Sequence, residues 1–389
     1  MLCAGDAVSV QHALPGLLSG QFRPPDQPYE PLCVVRHTST ISELFFISML
    51  ILWPVTGRNV EMKLICVEEH VMDGDIVAQA RPALQREAPY MVAQEFGEAS
   101  PTDRRLGDFA AGRIAEMDAH GIDMQILSYS SPVQLVPEAR AVALAAAAND
   151  RLAQAVSSHP DRFGGFALLP WQVPGAAVDE LDRAVTELGL NGVLIVGRPG
   201  PGFLDEPRYA PILAKLDALR VPLYVHPYDP IPEVQRSYYA GFAPAVTAQL
   251  SLGGWGWHHE AGVHVVRLVL SGAFERYPNL QVISGHWGEM VPNFLQRLDD
   301  VMPPAVTGLS ATIGDTYRSH VWVTPSGMYY GAQVDFIAAT VGLDRVIWSA
   351  DYPYLPLENT RSFLEGLAIG DDDRHAIAHR NAERVLGLG

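Results

Sequence analysis

Eight short apolar runs, separated by helix-like stretches, constrain the fold of this chain more than any other feature. The runs are rich in β-branched residues, as buried parallel strands are. They are LICVE (64–68), MQILSY (124–129), GGFALL (164–169), GVLIV (192–196), PLYVH (222–226), LQVISGH (280–286), HVWVTPS (320–326) and RVIWSAD (345–351). This alternation predicts an α/β protein with a (β/α)8 barrel of the TIM type. A doubly wound sheet is the alternative, weakened because no dinucleotide-binding glycine fingerprint follows the first run.

Residues 1–61 precede these runs and are rich in Pro, Ser and Gly. Their strongest feature is the apolar run LFFISMLILW (44–53), which is shorter than the roughly 20 residues that span a bilayer and begins late for a signal peptide. It could be a buried segment, a weak anchor, or upstream sequence that is not normally translated, since Met62 is a plausible start. We interpret residues 1–61 as an N-terminal extension of unknown role, which could be poorly ordered, and residues 62–389 as the barrel.

The charge balance points to a small-molecule substrate. The chain has 44 acidic and 27 basic residues, a net charge of −17, which argues against nucleic acid or an anionic membrane as a partner. Its three cysteines, Cys3, Cys33 and Cys66, lie far apart. This spacing suggests neither a disulfide framework nor a thiolate zinc site. We therefore expect a reducing compartment and a cytoplasmic location.

Polar side chains stand where several runs end. Because alternate side chains of a strand share a face, Glu68 and His70 should point one way and Glu69 the other. The fifth, sixth and eighth runs end in His226, His286 and Asp351. Each residue alone has an ordinary structural explanation, such as a helix cap or a core histidine. Since the strand ends of a barrel share one rim, their coincidence favours a single site, and nitrogen and carboxylate donors suit Zn²⁺ or Mn²⁺.

Six segments resemble the amidohydrolase-related family that contains aminocarboxymuconate semialdehyde decarboxylase, and most closely its dihydroxybenzoate (γ-resorcylate type) decarboxylase branch. They are VEEH, DAHGIDMQILSYSSP, RFGGFALLP, LYVHP, SGHWGEMVPNFLQR and WSADYPY. The resemblance covers nearly all of residues 62–389 and identifies them as a metal-dependent barrel. It implies a divalent ion bound by Glu68, His70, His226 and Asp351. It also implies that His286 and Glu289 are catalytic, with Arg297 near them, and that the protein is a homo-oligomer, dimeric or tetrameric. A departure is Trp287, where the decarboxylases usually have Met, so the ring pocket could differ in shape.

The lysines of the chain bear on the number of metal ions. Binuclear amidohydrolases bridge two metals with a carbamylated lysine at the end of the fourth strand. The only lysines here are Lys63, before the first run, and Lys215, inside a helix-like stretch, whereas the fourth run ends LIVGR. We therefore expect one ion per chain, zinc or manganese.

One such ion can serve two reactions. Decarboxylation of an aromatic acid requires a proton on the ring carbon that bears the carboxylate, and an ortho phenol assists; Asp351 is the expected donor, helped by His286 with Glu289. Alternatively, an activated water attacks an ester, lactone or amide, with Asp351 as the base. The ligand set does not separate the two. The resemblance favours decarboxylation, a hydrolase or hydratase is the alternative, and an inactive metal-binding protein comes last.

The segment GWGWHHEAGVH (254–264) precedes the sixth run. Its aromatic and histidine side chains could line the substrate pocket or a subunit contact. Packing in the core is the simpler expectation. No function is assigned to the segment from the sequence.

A chain that begins at Met62 should fold, bind its metal ion and turn over substrate, because the barrel can close from this residue onward. Elemental analysis and activity, each compared with the full chain, provide the measurement. A shortened chain that is insoluble, or that is inactive while loaded with metal, would instead place the apolar run 44–53 in the core.

Overall fold

The computed structural model describes residues 62–92 and 101–388, so the predictions for residues 1–61 lie outside the described part. Its parallel strands are β1 (Ile65–Val71), β2 (Met124–Tyr129), β3 (Phe163–Ala167), β4 (Gly192–Val196), β5 (Leu223–His226), β6 (Val282–Ser284) and β7 (Val321–Val323). They form one seven-stranded sheet in which β1 to β7 follow each other in chain order. A doubly wound sheet reverses its strand order at a switch point, so that alternative is wrong.

The eighth predicted strand is a short extended segment rather than a regular strand. Val346 forms a parallel bridge with Val323 of β7. The amide of Ile347 donates to the carbonyl of Val323 at 3.0 Å, and the amide of Val67 in β1 donates to the carbonyl of Trp348 at 2.9 Å. This segment therefore lies between β7 and β1 and closes the sheet. The predicted barrel is confirmed, with its last strand shortened.

Helices connect the strands. Those before β5 are α1 (Gly74–Glu87), α2 (Pro89–Val92), α3 (Pro101–Leu106), α4 (Ala111–Ala119), α5 (Glu138–Ser158), α6 (Pro174–Thr186) and α7 (Ala210–Leu219). Those after β5 are α8 (Pro232–Val234), α9 (Pro244–Ser251), α10 (Gly256–Leu270), α11 (Ala273–Arg276), α12 (Gly285–Glu289), α13 (Leu295–Val301), α14 (Pro304–Thr307), α15 (Ile313–His320), α16 (Gly331–Thr340), α17 (Thr360–Glu365), α18 (Asp371–His375) and α19 (Asn381–Leu386). Among the described residues, no helix has the length and apolar character needed to cross a membrane.

The strands divide their side chains between two cores. One core fills the barrel and includes Ile65, Ile126, Leu194, Tyr224 and Ile283. The other lies between the sheet and the helices and receives the alternate residues of the same strands. Because adjacent residues of a strand point to opposite faces, both cores are packed from one set of strands, and the rim rests on a filled barrel.

A bulge at Glu68 changes which residues of β1 face the barrel. Ile65 and Val67 belong to the interior core, and uninterrupted alternation from them would aim Glu69 inward. The register with β2 shifts across Glu68, which has a φ of 72°, a left-handed conformation that costs a non-glycine residue of order 1–3 kcal/mol. Beyond the bulge, His70 rather than Glu69 points to the site. The predicted facing of Glu68 and His70 is correct, but the bulge causes it.

Glu69 anchors a buried network behind the site. Its carboxylate accepts hydrogen bonds from the amide of Ala350 at 2.9 Å and from Nε2 of Gln125 at 3.1 Å. Arg113, which is 1% exposed, donates to Oε1 of Gln125 at 3.1 Å and to the carbonyl of His70 at 2.6 Å. Burial raises the pKa of Glu69 to about 8. The network ties β1, β2 and α4 to the segment that leads to the rim.

Candidate metal centre and active site

The four side chains predicted to bind metal converge at the carboxyl end of the barrel. Glu68 and His70 belong to β1, His226 is the last residue of β5, and Asp351 follows the closing segment. Each offers one nitrogen or oxygen atom, and these atoms lie within 4.8 Å of one another. Glu68 and His70 are fully buried, and His226 is 7% exposed. The group can hold one divalent ion, and the individual ligand assignments stay a prediction.

Two atoms of this cluster are buried without a hydrogen bond: Oε1 of Glu68 and Nε2 of His70. Glu68 Oε1 lies 3.7 Å from Nε2 of His226. His70 Nε2 lies 3.1 Å from Oδ1 of Asp351, but the two atoms do not form a hydrogen bond. A buried polar atom without a partner costs about 1–3 kcal/mol. A divalent ion would satisfy both atoms, so the residues present fit a metal.

The second oxygen of Glu68 is held by hydroxyl groups. Oε2 accepts hydrogen bonds from Thr324 at 3.3 Å, from Ser349 at 3.5 Å and from Ser326. These hydroxyls orient the carboxylate and leave Oε1 facing the other ligands. Burial raises the pKa of Glu68, and a bound cation would favour its charged form. These three residues were not predicted from the sequence, although they stand in the TPS and WSAD segments beside predicted strand ends.

The two histidines predicted to bind metal present Nε2 to the centre. Nδ1 of His226 donates to the carbonyl of Pro227 at 2.7 Å, and Nδ1 of His70 lies 3.4 Å from the hydroxyl of Ser128. Such bonds orient a metal-binding imidazole and set its tautomer. Burial and the neighbouring imidazoles of His70 and His286 lower the pKa of His226 well below its usual value. His226 is therefore neutral, as a metal ligand must be.

His286 and Glu289 lie beside the cluster, in a turn that follows β6. Within α12, His286 and Glu289 have φ values of 47° and 51°, so this turn is left-handed. Nδ1 of His286 donates to Oε1 of Glu289 at 2.7 Å, and its Nε2 lies 4.0 Å from Oδ2 of Asp351. Burial opposes a charge on His286, but the Glu289 carboxylate outweighs it and raises the pKa of His286 to about 10. The pair is an imidazolium held by a carboxylate.

His258, left without a function by the sequence analysis, contacts the same carboxylate. It lies in α10, and its Nδ1 is 2.8 Å from Oε2 of Glu289. The rings of His258 and His286 are 4.4 Å apart between centroids. Glu289 therefore receives one imidazole on each oxygen. His258 was recognisable only as one of two consecutive histidines in the aromatic segment 254–264.

Arg297 and Trp287 do not join the cluster. Arg297 is exposed on α13, and within the described residues no hydrogen bond or ion pair connects it to His286 or Glu289. Its catalytic role stays a prediction. Trp287 packs in the core between sheet and helices, and its indole N–H donates to the carbonyl of Met328 at 2.7 Å. The expected effect of Trp287 on the ring pocket therefore has no support in its packing.

Neither lysine approaches the fourth strand end. Lys63 forms an ion pair with Glu383 at 2.9 Å. Lys215 lies in α7 and pairs with Asp182 at 3.1 Å. Strand β4 ends at Val196, and Gly197 and Arg198 follow it. A lysine-bridged pair of metals cannot form here.

Comparison with known proteins identifies relatives of this barrel. Residues 52–388 match the family described as Amidohydrolase. The chain is 36% identical over 301 residues to a γ-resorcylate decarboxylase from Rhodococcus jostii, a match that covers 73% of this chain and 89% of the relative.

Two solved structures share the fold and hold manganese. A dihydroxybenzoic acid decarboxylase from a Polaromonas species, with manganese and the inhibitor 2-nitroresorcinol, is 31% identical with a TM-score of 0.73; the match covers 84% of this chain and 97% of that one. A 5-carboxyvanillate decarboxylase from Novosphingobium aromaticivorans, with manganese and 4-hydroxy-3-methoxy-5-nitrobenzoic acid, is 31% identical with a TM-score of 0.78, covering 86% and 98%.

The purified protein should carry about one divalent ion per chain, because four donors converge and no lysine can bridge a second ion. Replacing His226 by Ala should remove most of the metal and nearly all activity. Elemental analysis after dialysis against a chelator-free buffer gives the metal content. His259→Ala, which changes an exposed histidine outside the cluster, should retain it. Two tightly held ions per chain, or a loaded His226→Ala variant, would contradict this assignment.

Proposed function

Because the chain belongs to the Amidohydrolase family, we propose that it catalyses metal-dependent, non-oxidative decarboxylation of an aromatic acid with a hydroxyl group ortho to the carboxylate. The position of Asp351 supports this proposal most directly, because its two carboxylate oxygens face different partners. Oδ1 lies 3.1 Å from Nε2 of His70, among the metal-binding atoms, and Oδ2 lies 4.0 Å from Nε2 of His286. One carboxylate thus connects the metal centre with the imidazolium–carboxylate pair.

The ligands of the two neighbouring structures support the ortho requirement. 2-Nitroresorcinol carries a nitro group between two hydroxyls, and 4-hydroxy-3-methoxy-5-nitrobenzoic acid carries one beside a hydroxyl. A nitro group is planar with two oxygens and imitates a carboxylate in shape. Both compounds therefore imitate an aromatic acid with an ortho hydroxyl, which is the arrangement that we propose for the substrate of this chain.

The protein groups then have the following roles. A divalent ion would be held by Glu68, His70, His226 and Asp351, and it would supply a Lewis acid for the negative charge on the substrate oxygens. Asp351 donates a proton to the ring carbon that bears the carboxylate. The carbon–carbon bond breaks, its electrons remain in the ring to restore aromaticity, and CO2 leaves.

His286 prepares the site for the next turnover. Its pKa of about 10 means that it carries a proton at neutral pH, and its Nε2 is directed at Oδ2 of Asp351. It returns a proton to Asp351 and is itself protonated again from solvent. Glu289 holds the imidazole by Nδ1, so that Nε2 keeps its direction.

Hydrolysis is the competing reaction for the same ligand set. The named relatives are decarboxylases, which favours loss of CO2. We also propose a cytoplasmic homo-oligomer, dimeric or tetrameric. This part of the proposal is supported by the family resemblance and by the three widely spaced cysteines.

An ortho-hydroxybenzoate should release CO2 with this enzyme, whereas the same benzoate without the ortho hydroxyl should react at least about 100-fold more slowly, since it loses both an oxygen for binding and the electron release to the ring. CO2 release from a matched substrate pair gives the comparison, and incubation of the phenol in bicarbonate should form the ortho acid. If no such acid reacts while an ester or lactone is hydrolysed in a metal-dependent way, the hydrolase interpretation replaces this one.

Asp351→Asn should keep some metal, because an amide oxygen can coordinate, yet lose turnover by about 10²–10⁴-fold or more, the usual contribution of general acid catalysis. The measurement is kcat together with metal content. Asp335→Asn, which makes the same change at an exposed position on α16, serves as the control. An Asp351→Asn variant with bound metal and wild-type turnover would show that another group donates the proton.

A further inference from the structure

We propose that His258 is a positioning residue for the decarboxylation, because it fixes the Glu289 carboxylate that in turn aims His286 at Asp351. The inference rests on the proposed function for its catalytic consequence. Its structural part concerns a residue outside the metal ligands and outside the pair already assigned. His258 forms no hydrogen bond with the four predicted metal ligands; it bonds to Glu289 and its ring lies against that of His286.

Both carboxylate oxygens of Glu289 accept a hydrogen bond from a histidine. This side chain is fully buried, with 1% of its residue surface exposed. Its Oε1 accepts from Nδ1 of His286 at 2.7 Å and its Oε2 from Nδ1 of His258 at 2.8 Å. Burial opposes ionisation, but the two histidines together lower the pKa of Glu289 below its usual value. With a donor on each oxygen, the carboxylate cannot rotate without losing a charge-assisted bond.

The neighbours of His258 determine which of its ring nitrogens carries the proton. The indole N–H of Trp257 lies 3.0 Å from Nε2 of His258 and donates to it, which leaves the proton of a neutral ring on Nδ1. The carbonyl of Gly253 is also 3.0 Å from this Nε2 and would accept from it if the ring carried a second proton. In both states Nδ1 remains a donor to Glu289. The contact therefore does not depend on the charge of His258.

Helix α10 lies close to the turn that contains His286 and Glu289. Gly262 lies one helical turn after His258, on the same side of α10. A Cβ at Gly262 would collide with the carbonyl oxygen of Glu289. The absence of a side chain there lets α10 approach the backbone of Glu289 and brings His258 within reach of its carboxylate. Gly262 thus allows α10 to pack against the backbone of Glu289, and His258 on the same helix face binds its side chain.

A second metal site is the competing explanation, because His258, His286 and Glu289 also form a compact group of possible donors. The two nitrogen–oxygen distances, 2.7 and 2.8 Å, are those of charge-assisted hydrogen bonds. Each imidazole directs Nδ1 at a different oxygen of Glu289, so that both oxygens already accept a hydrogen bond. Hydrogen bonding accounts for the group, and the metal content of a variant distinguishes the two explanations.

The test compares three variants of the full-length, metal-loaded protein. His258→Ala removes the donor, His258→Asn retains an amide N–H near the position of Nδ1, and His259→Ala changes the exposed neighbouring histidine. We expect kcat of His258→Ala to fall about 10–100-fold, the usual effect of removing an orienting partner, with little change in KM. His258→Asn should recover most of kcat, and His259→Ala should equal the wild type.

A second readout does not require turnover. The downfield proton signal of the His286 Nδ1–H group, assigned by its loss in His286→Gln, should shift in His258→Ala and return towards the wild-type position in His258→Asn. Thermal unfolding of each variant shows whether it is folded. If His258→Ala is unfolded, the comparison of His258→Asn with the wild type is the test. If the wild type releases no CO2 from any ortho-hydroxybenzoate, the proposed function fails, while the proton signal still reports on the positioning.

Three outcomes would overturn the proposal. The first is an unchanged kcat and an unchanged His286 signal in His258→Ala. The second is a folded His258→Asn variant that is as slow as His258→Ala, since a retained donor should restore the carboxylate. The third is the loss of one full equivalent of metal on replacing His258, which would mean that the three residues bind an ion.

Discussion

The left-handed bulge at Glu68 is the constraint on which the rest of the site depends. It reverses the facing of β1 at the rim, so that a strand whose apolar residues fill the barrel ends with His70 directed at the centre. Three hydroxyls on the closing side of the barrel hold the Glu68 carboxylate and offset the cost of its backbone conformation. Without the bulge, Glu69 would occupy the interior and its anchor on Ala350 would be lost.

Two groups of polar side chains lie at this rim: the four predicted metal ligands, and Glu289 with His286 and His258. The first presents carboxylate oxygens and the Nε2 atoms of His70 and His226 to a single position. The second pairs the Glu289 carboxylate with Nδ1 of His286 and Nδ1 of His258. Asp351 belongs to the first group by Oδ1 and faces the second by Oδ2. In the proposed mechanism, charge neutralisation and proton supply lie on opposite sides of this one side chain.

The barrel and the convergence of four polar side chains at its rim could be predicted because both follow from patterns that are local in the sequence. Runs of β-branched residues predict the strands, and β2 and β4 have the predicted ends. The bulge could not be predicted, since no glycine marks Glu68. Thr324, Ser326 and His258 could not be assigned either, because a hydroxyl or an imidazole acquires its role from a partner far away in the chain. The predicted eighth strand was too long, since beyond Trp348 the hydroxyl of Ser349 and the amide of Ala350 donate to Glu68 and Glu69 instead of pairing with a strand.

The fourth strand end has a consequence for how the metal centre responds to the reaction. A lysine carbamate forms by addition of CO2 to an amine, so a centre built on one gains or loses a ligand with the CO2 concentration around it. Here β4 ends at Val196 and both lysines are engaged elsewhere. All the donors are part of the folded chain. No donor of the centre is therefore made from, or lost as, the gas that a decarboxylase liberates.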